Sequence, residues 1–250
     1  MNPLIVLGGA GVLAGMMNAL AGGGSFVTLP ALIAAGVPSV NANTSSTVAL
    51  FPGQLASTWT YRDGLGPIGP VALRSLVVVT FVGGAIGAVL LLLTPIKTFD
   101  FVLPWLMAVA TVALVFGARL GELLRRRWHI GVPAVLVAQF GLGIYGGYFG
   151  GGVGIMMMAV WSLLTDRTLK SFNAPRTFLV SAANAVAVLI FIAAGSVRWR
   201  ESLVLLVGAV IGGFCGANIG RRAPAKVIRI GTLLLSVCIT LVFFARAYIR

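Results

Sequence analysis

Three observations predict an all-α, polytopic membrane fold. Hydrophobic side chains make up 59% of the 250 residues and charged ones only 9%, with a mean hydropathy of +1.04, whereas a soluble domain carries roughly 25% charged residues. Apolar runs separated by Gly, Pro and charge clusters recur along the whole length. Two of those runs are short, and each follows three consecutive glycines, Gly22-Gly23-Gly24 and Gly150-Gly151-Gly152. A span takes about 20 apolar residues, so the chain has room for roughly eight to ten crossings and no separate soluble domain.

Taken in order, the apolar segments are about 2–20, 25–36, 44–61, 70–93, 100–118, 131–149, 153–164, 174–195, 201–220 and 227–246. Eight are long enough to cross. Segments 25–36 and 153–164 are not, because a twelve-residue helix reaches only about 18 Å against a hydrocarbon core of about 30 Å. The start, MNPLIVLGGAGVLAG, has neither the basic n-region nor the cleavage pattern of a secretory signal, and is expected to be the first span and to stay in the mature protein. Cys215 and Cys238 lie in apolar segments and match no metal spacing; they are expected to be packing residues.

The order of features repeats. A shift of 128 to 130 residues places glycines 22–24 on 150–152, Asn43 on Asn173, Thr47 on Thr177, Gly83-Gly84-Ala85-Ile86-Gly87-Ala88 on Gly212-Gly213-Phe214-Cys215-Gly216-Ala217, and Pro95-Ile96-Lys97 on Pro224-Ala225-Lys226. This predicts a duplicated five-segment membrane repeat with halves at 1–125 and 126–250, together forming one integrated transmembrane domain.

Charge gives the expected topology. The formal net charge is +13, which in a soluble protein would suggest nucleic acid. No basic run exceeds Arg125–Arg127 and no aromatic platform accompanies it, so no nucleic-acid partner is expected. If all ten segments cross, thirteen basic residues share one side, leaving Lys97, Arg198, Arg200, Arg246 and Arg250 opposite. Re-entrant short segments would give a ten-to-eight split that orients nothing. The first arrangement predicts two inverted repeats with both termini outside the cell membrane.

A span broken at mid-membrane exposes backbone N–H groups where no bulk water can satisfy them. An anion can, because a helix N-terminus carries about half a positive charge and glycine allows close approach. Gly22, Gly23, Gly24, Gly150, Gly151 and Gly152 are therefore candidate anion contacts, with Ser25 and Thr28 as added hydroxyls. Helix packing is the competing explanation, since Gly146, Gly150 and Gly154 are also spaced as small-xxx-small. A second cluster, Asn41-Ala42-Asn43-Thr44-Ser45-Ser46-Thr47, is matched by Ser171-Phe172-Asn173-Ala174-Pro175-Arg176-Thr177. Each stands before a long apolar helix, so capping explains one residue of each. The surplus, Asn43, Thr44, Ser45, Ser46, Asn173 and Thr177, with Asn184 farther along, suits a polar cavity. Arg176 is the cation nearest this material, either as an anion partner or as a plain loop charge.

Other patterns carry less. Gly208, Gly212, Gly216 and Gly220 recur every four residues and are expected to let helices pack closely. Gly141-Leu142-Gly143-Ile144-Tyr145-Gly146 spells a dinucleotide fingerprint with Asp166 at the right distance, but it lacks the preceding strand. Asp63, Asp100, Glu122, Asp166 and Glu201 all fall at segment ends, and the lone histidine, His129, adjoins the arginine run. Cation transporters and proton relays place carboxylates at mid-membrane. A metal or sodium substrate, a catalytic site and a cofactor are accordingly not expected.

Ala21–Pro30, Val37-Pro38 and Ala42–Gly53 together resemble the first signature of the TauE/SafE sulfite exporter family. Phe149–Gly154 with Asn173-Ala174, Asn184 and Ala194–Trp199 resembles its second, and the resemblance covers essentially the whole chain. Relatives in that family export sulfite, sulfoacetate and related sulfur-containing anions. The resemblance implies a similar substrate class here, whereas the residues alone indicate only an anion. Asn173-Ala174-Pro175-Arg176 where the first unit has Asn43-Thr44-Ser45-Ser46 implies an asymmetric site. The expected function is secondary export of a small anion across the cell membrane, bound between the two Gly-headed half-helices. The alternative is a membrane subunit of a larger complex. The lipid bilayer is the expected environment, and the glycine faces would allow a homodimer.

Overall fold

A computed structural model describes residues 3–21, 23–127, 131–165, 169–220 and 225–248. Gly22, His129 and Asp166 lie outside the described residues, and side chains are not described at 19–21, 117–127, 169–170, 217–220, 225–229 and 232. The described residues form ten α-helices: α1 (Pro3–Ala21), α2 (Ser25–Ala34), α3 (Ser39–Tyr61), α4 (Leu73–Leu93), α5 (Ile96–Arg127), α6 (Val132–Tyr148), α7 (Val153–Trp161), α8 (Asn173–Ala193), α9 (Trp199–Gly220) and α10 (Ala225–Tyr248). They match the ten expected segments one for one, and among the described residues there is no strand. The protein is an all-α polytopic membrane protein.

Four helices contain stretches both long and apolar enough to cross a membrane unaided: Leu73–Leu93, Ile96–Phe116, Asn173–Ala193 and Trp199–Gly216. That is fewer than the eight expected on length. Helix α3 has 23 residues but opens with the polar run 41–47, and α6 has only 17. The two half-helices have ten and nine residues, about 15 and 14 Å long.

The chain divides into two compact units, each drawing on both sequence halves. The first comprises Met1–Gly53, Leu92–Thr111 and Phe191–Arg250; the second comprises Gln54–Leu91 and Val112–Ile190. In the first unit, α1 packs along α9 with backbones almost touching. A Cβ on Gly212 would lie 1.9 Å from the carbonyl oxygen of Val12, and one on Gly15 would lie 2.0 Å from that of Ala209. Gly208 and Gly216 face Gly8, Gly11 and Met16 in the same groove. This is the close packing expected of the α9 glycines; the side-chain surroundings of Gly220 are not described.

The second unit uses the same device between α4 and α6, where a Cβ on Gly147 would lie 2.0 Å from the Gly84 carbonyl oxygen. Its core gathers Ile68, Leu76, Val135, Met157, Trp161, Phe172 and Leu179. The buried amide of Gln139 ties three helices there: it donates to Thr80 Oγ1 (2.8 Å) and accepts from Trp161 Nε1 (3.0 Å). In hydrocarbon an unpaired amide has no water to fall back on, so this closed triad fixes α7 against α4 and α6.

Cys215 and Cys238 correct an expectation, since both are exposed. They stand on outward faces of α9 and α10 among Ile211, Phe214, Leu234 and Leu241. An apolar helix face packs against lipid as readily as against protein, so an apolar surrounding in sequence does not imply a packed cysteine.

Candidate functional site

The second unit supplies the better-formed site. Helix α6 ends at Tyr148, and the chain turns through Gly150 (φ +79°) and Gly152 (φ +73°) before α7 begins. Both angles lie in the left-handed region, where a side chain costs about 1–2 kcal/mol. Gly150 is thus outside any helix, so the Gly146, Gly150, Gly154 spacing does not form one packing stripe. The first bonds of α7 run from Ile155 and Met156 to the Gly152 carbonyl. Among the described residues, none accepts from the N–H groups of Gly151, Gly152, Val153 or Gly154.

Two of the expected side chains stand against this turn. Arg176, in the first turn of α8, lays its aliphatic stem on Gly154, with Cγ 3.1 Å from where a Cβ would stand. Asn184 is 3% exposed; its Oδ1 lacks a partner among the described residues and lies 3.8 Å from the Cβ position of Gly150. Asn173 begins α8 and, like Thr177, is part-exposed; the Thr177 hydroxyl donates to the Asn173 carbonyl at 3.0 Å.

Asn184 has one partner that sequence reasoning missed. Its Nδ2 donates to Gln54 Oε1 at 2.6 Å. The signal was present: the shift of 130 that places Asn43 on Asn173 also places Gln54 on Asn184. Gln139 was missed as well, although an amide inside an apolar span is itself a signal.

In the first unit the corresponding residues are placed differently. Gly24 has ordinary helical angles (φ −56°), and its missing Cβ makes room for Ala14, Asn18 and Leu50. Gly23 is buried and Ser25 half-buried, while Gly22 lies outside the described residues. The Thr28 hydroxyl bonds Ser46 at 2.5 Å. The run 41–47 lies inside α3, which begins at Ser39, so these residues are not caps. Their hydroxyls and amides largely tie α3 to the chain that follows α8. Asn41 Nδ2 and Thr44 Oγ1 both donate to the Ser196 carbonyl (2.7 and 2.9 Å), and Ser45 Oγ accepts from the Arg198 N–H at 2.8 Å. Asn43 is buried, and its carbonyl accepts from the Thr47 hydroxyl at 2.9 Å, the same bond that Thr177 makes to Asn173.

The second unit's turn therefore offers four N–H donors beside the stem of Arg176, a set suited to an oxyanion once the neighbouring Asn184 amide presents its N–H rather than its oxygen. Compared with known proteins, residues 7–243 match the family described as Sulfite exporter TauE/SafE. The chain belongs to the TauE/SafE family. Among curated relatives, it is 30% identical over 231 residues to the Escherichia coli K12 protein named "Probable membrane transporter protein YfcA", covering 91% of this chain and 85% of that one. A "Probable membrane transporter protein" of Haemophilus influenzae is 27% identical over 246 residues, 95% and 92% of the two chains. One from Sinorhizobium, ORF9, is 28% identical over 239 residues, 93% and 88%. No solved structure matches. Membership of TauE/SafE makes this chain a membrane transporter and not an enzyme.

Proposed function

We propose that this transporter exports small sulfur-containing or organic anions of the sulfite and sulfoacetate type across the cell membrane. The observation that carries the reading is the turn at 150–154, where four backbone N–H groups without acceptors among the described residues stand beside the Arg176 stem and the Asn184 amide. The start of α2, at Gly22 to Gly24, is read as a second contributor to anion binding, with Gly24 in ordinary helical angles rather than left-handed ones. Export needs little machinery. One charge moving through 100 mV is worth about 2.3 kcal/mol, and a divalent anion leaving a negative-inside cell gains about twice that. An anion that can also carry a proton leaves coupling through the substrate itself available.

The two halves, 1–125 and 126–250, are read as inverted repeats with both termini outside. Loop charge supports the orientation, and two hydrogen bonds fit the repeat length. Asn184 to Gln54 and Thr111 to Thr240 (3.0 Å between hydroxyl oxygens) join positions 130 and 129 apart, the repeat shift itself.

Flux into vesicles containing the purified protein, measured with radiolabelled sulfite, sulfoacetate and sulfate, tests the substrate class. Sulfite or sulfoacetate should move faster than in empty vesicles and faster than sulfate. Rates equal to those of empty vesicles for all three would remove the reading.

A further inference from the structure

A cavity of about 350 Å³ in the first unit opens between the end of α2, the first turns of α5 and the last turns of α10. Its lining includes Lys97, Asp100 and Arg246. All three side chains are exposed, and among the described residues none has an ion-pair or hydrogen-bond partner. Two cations and one carboxylate thus face a space of small-molecule size with no ion-pair partner among the described residues.

The aromatic side chains beside the cavity are those typical of a membrane surface. Trp105 Nε1 donates to the Tyr248 hydroxyl at 2.7 Å, and that hydroxyl donates to the Phe101 carbonyl at 3.2 Å. Aromatic side chains with polar tips collect where headgroups meet hydrocarbon. From the cavity wall an apolar strip runs along one face of α5: Phe101, Trp105 and Val109, spaced by four and 57%, 55% and 52% exposed. A charged recess continued by an apolar strip has the form of a phospholipid, headgroup first and acyl chain after.

The charge pattern selects the headgroup. Lys97 and Arg246 suit a phosphodiester, but Asp100 repels a bare anion and favours a ligand that brings its own cation. We propose that this cavity holds the headgroup of a phosphatidylethanolamine lipid. The phosphate lies on Lys97 and Arg246, the ammonium on Asp100, and an acyl chain along Phe101, Trp105 and Val109. The site is independent of the transported anion.

Native mass spectrometry of the full-length protein in detergent tests this, with phosphatidylethanolamine, phosphatidylglycerol of the same chains, and inorganic phosphate as probes. One phosphatidylethanolamine should be retained in preference to phosphatidylglycerol. Lys97→Gln and Arg246→Gln should each weaken its retention roughly fivefold, with Lys97→Arg and Arg246→Lys restoring it. Asp100→Asn should abolish the preference while leaving phosphatidylglycerol retention intact. The three positions are exposed, and a monodisperse, helical variant shows that the fold survives. Equal retention of the two lipids, retention unchanged in both Gln variants, or competition by inorganic phosphate matching that of the lipid would each overturn the proposal.

Discussion

Asn184 and Gln54 are where a single side chain carries the most weight. Their amides face each other at 2.6 Å, and the remaining Asn184 oxygen points toward the glycine turn without a partner among the described residues. Exchanging the two amides end for end keeps their mutual bond and presents an N–H to the turn instead, which suits an oxyanion. Asn184→Leu removes that donor and strands Gln54, a loss of about 1–3 kcal/mol. Its expected outcome is anion flux reduced by roughly fivefold to a hundredfold, since about 1.4 kcal/mol corresponds to a factor of ten. Asn184→Gln, which keeps the amide, should recover part of the flux in the same vesicle assay. Half of this pair was legible in sequence, because Asn184 is a polar residue inside an apolar run. Its partner was carried only by the repeat shift of 130, since the pattern of a single helix does not say which face turns toward which neighbour.

At the scale of the element, the two glycine-headed breaks prove chemically unlike. The turn before α7 needs left-handed angles at Gly150 and Gly152, whereas the start of α2 has Gly24 in ordinary helical angles. Gly152→Ala is therefore expected to cost about 1–2 kcal/mol through φ alone, read as a lowered midpoint in thermal unfolding in detergent. Gly24→Ala has no such term and instead presses on the Ala14 carbonyl at 3.0 Å. The α9 glycines give a sharper contrast. Gly212→Val drives its Cβ into the Val12 backbone and should separate α1 from α9, detected as loss of a monodisperse peak in gel filtration. Gly213→Val, with nothing within 4 Å of its Cβ, should elute like the parent. Sequence spacing predicted close packing for Gly208, Gly212 and Gly216 but not that α1 is the partner.

For the molecule as a whole, the topology proposal rests on loop charge. Cysteines placed as Asn2→Cys and Arg250→Cys, each in a Cys215→Ala, Cys238→Ala background, should both react with an impermeant thiol reagent added to intact cells. Reaction only after the membrane is opened would invert the orientation. The background substitutions are needed because both native cysteines are exposed. They should also be cheap, because these side chains stand on outward faces rather than in a packed core.

The residues by themselves determined that this protein lives in a membrane, the order of its ten described helices and most of their ends, though α5 runs nine residues past its expected end, and that two of them are half-length. Those properties follow from local composition: apolar length against bilayer thickness, and glycine where helices break. Tertiary structure decided which glycines need left-handed angles, that the first unit's hydroxyls bind Ser196, Arg198 and Thr28, and that Gln54 meets Asn184. The physical reason is that lipid and protein interior are equally apolar. In water a helix declares its buried face by contrast, but in a bilayer the same Leu or Val serves on either side. Only the folded arrangement then shows which face packs, which meets lipid and which polar group finds a partner.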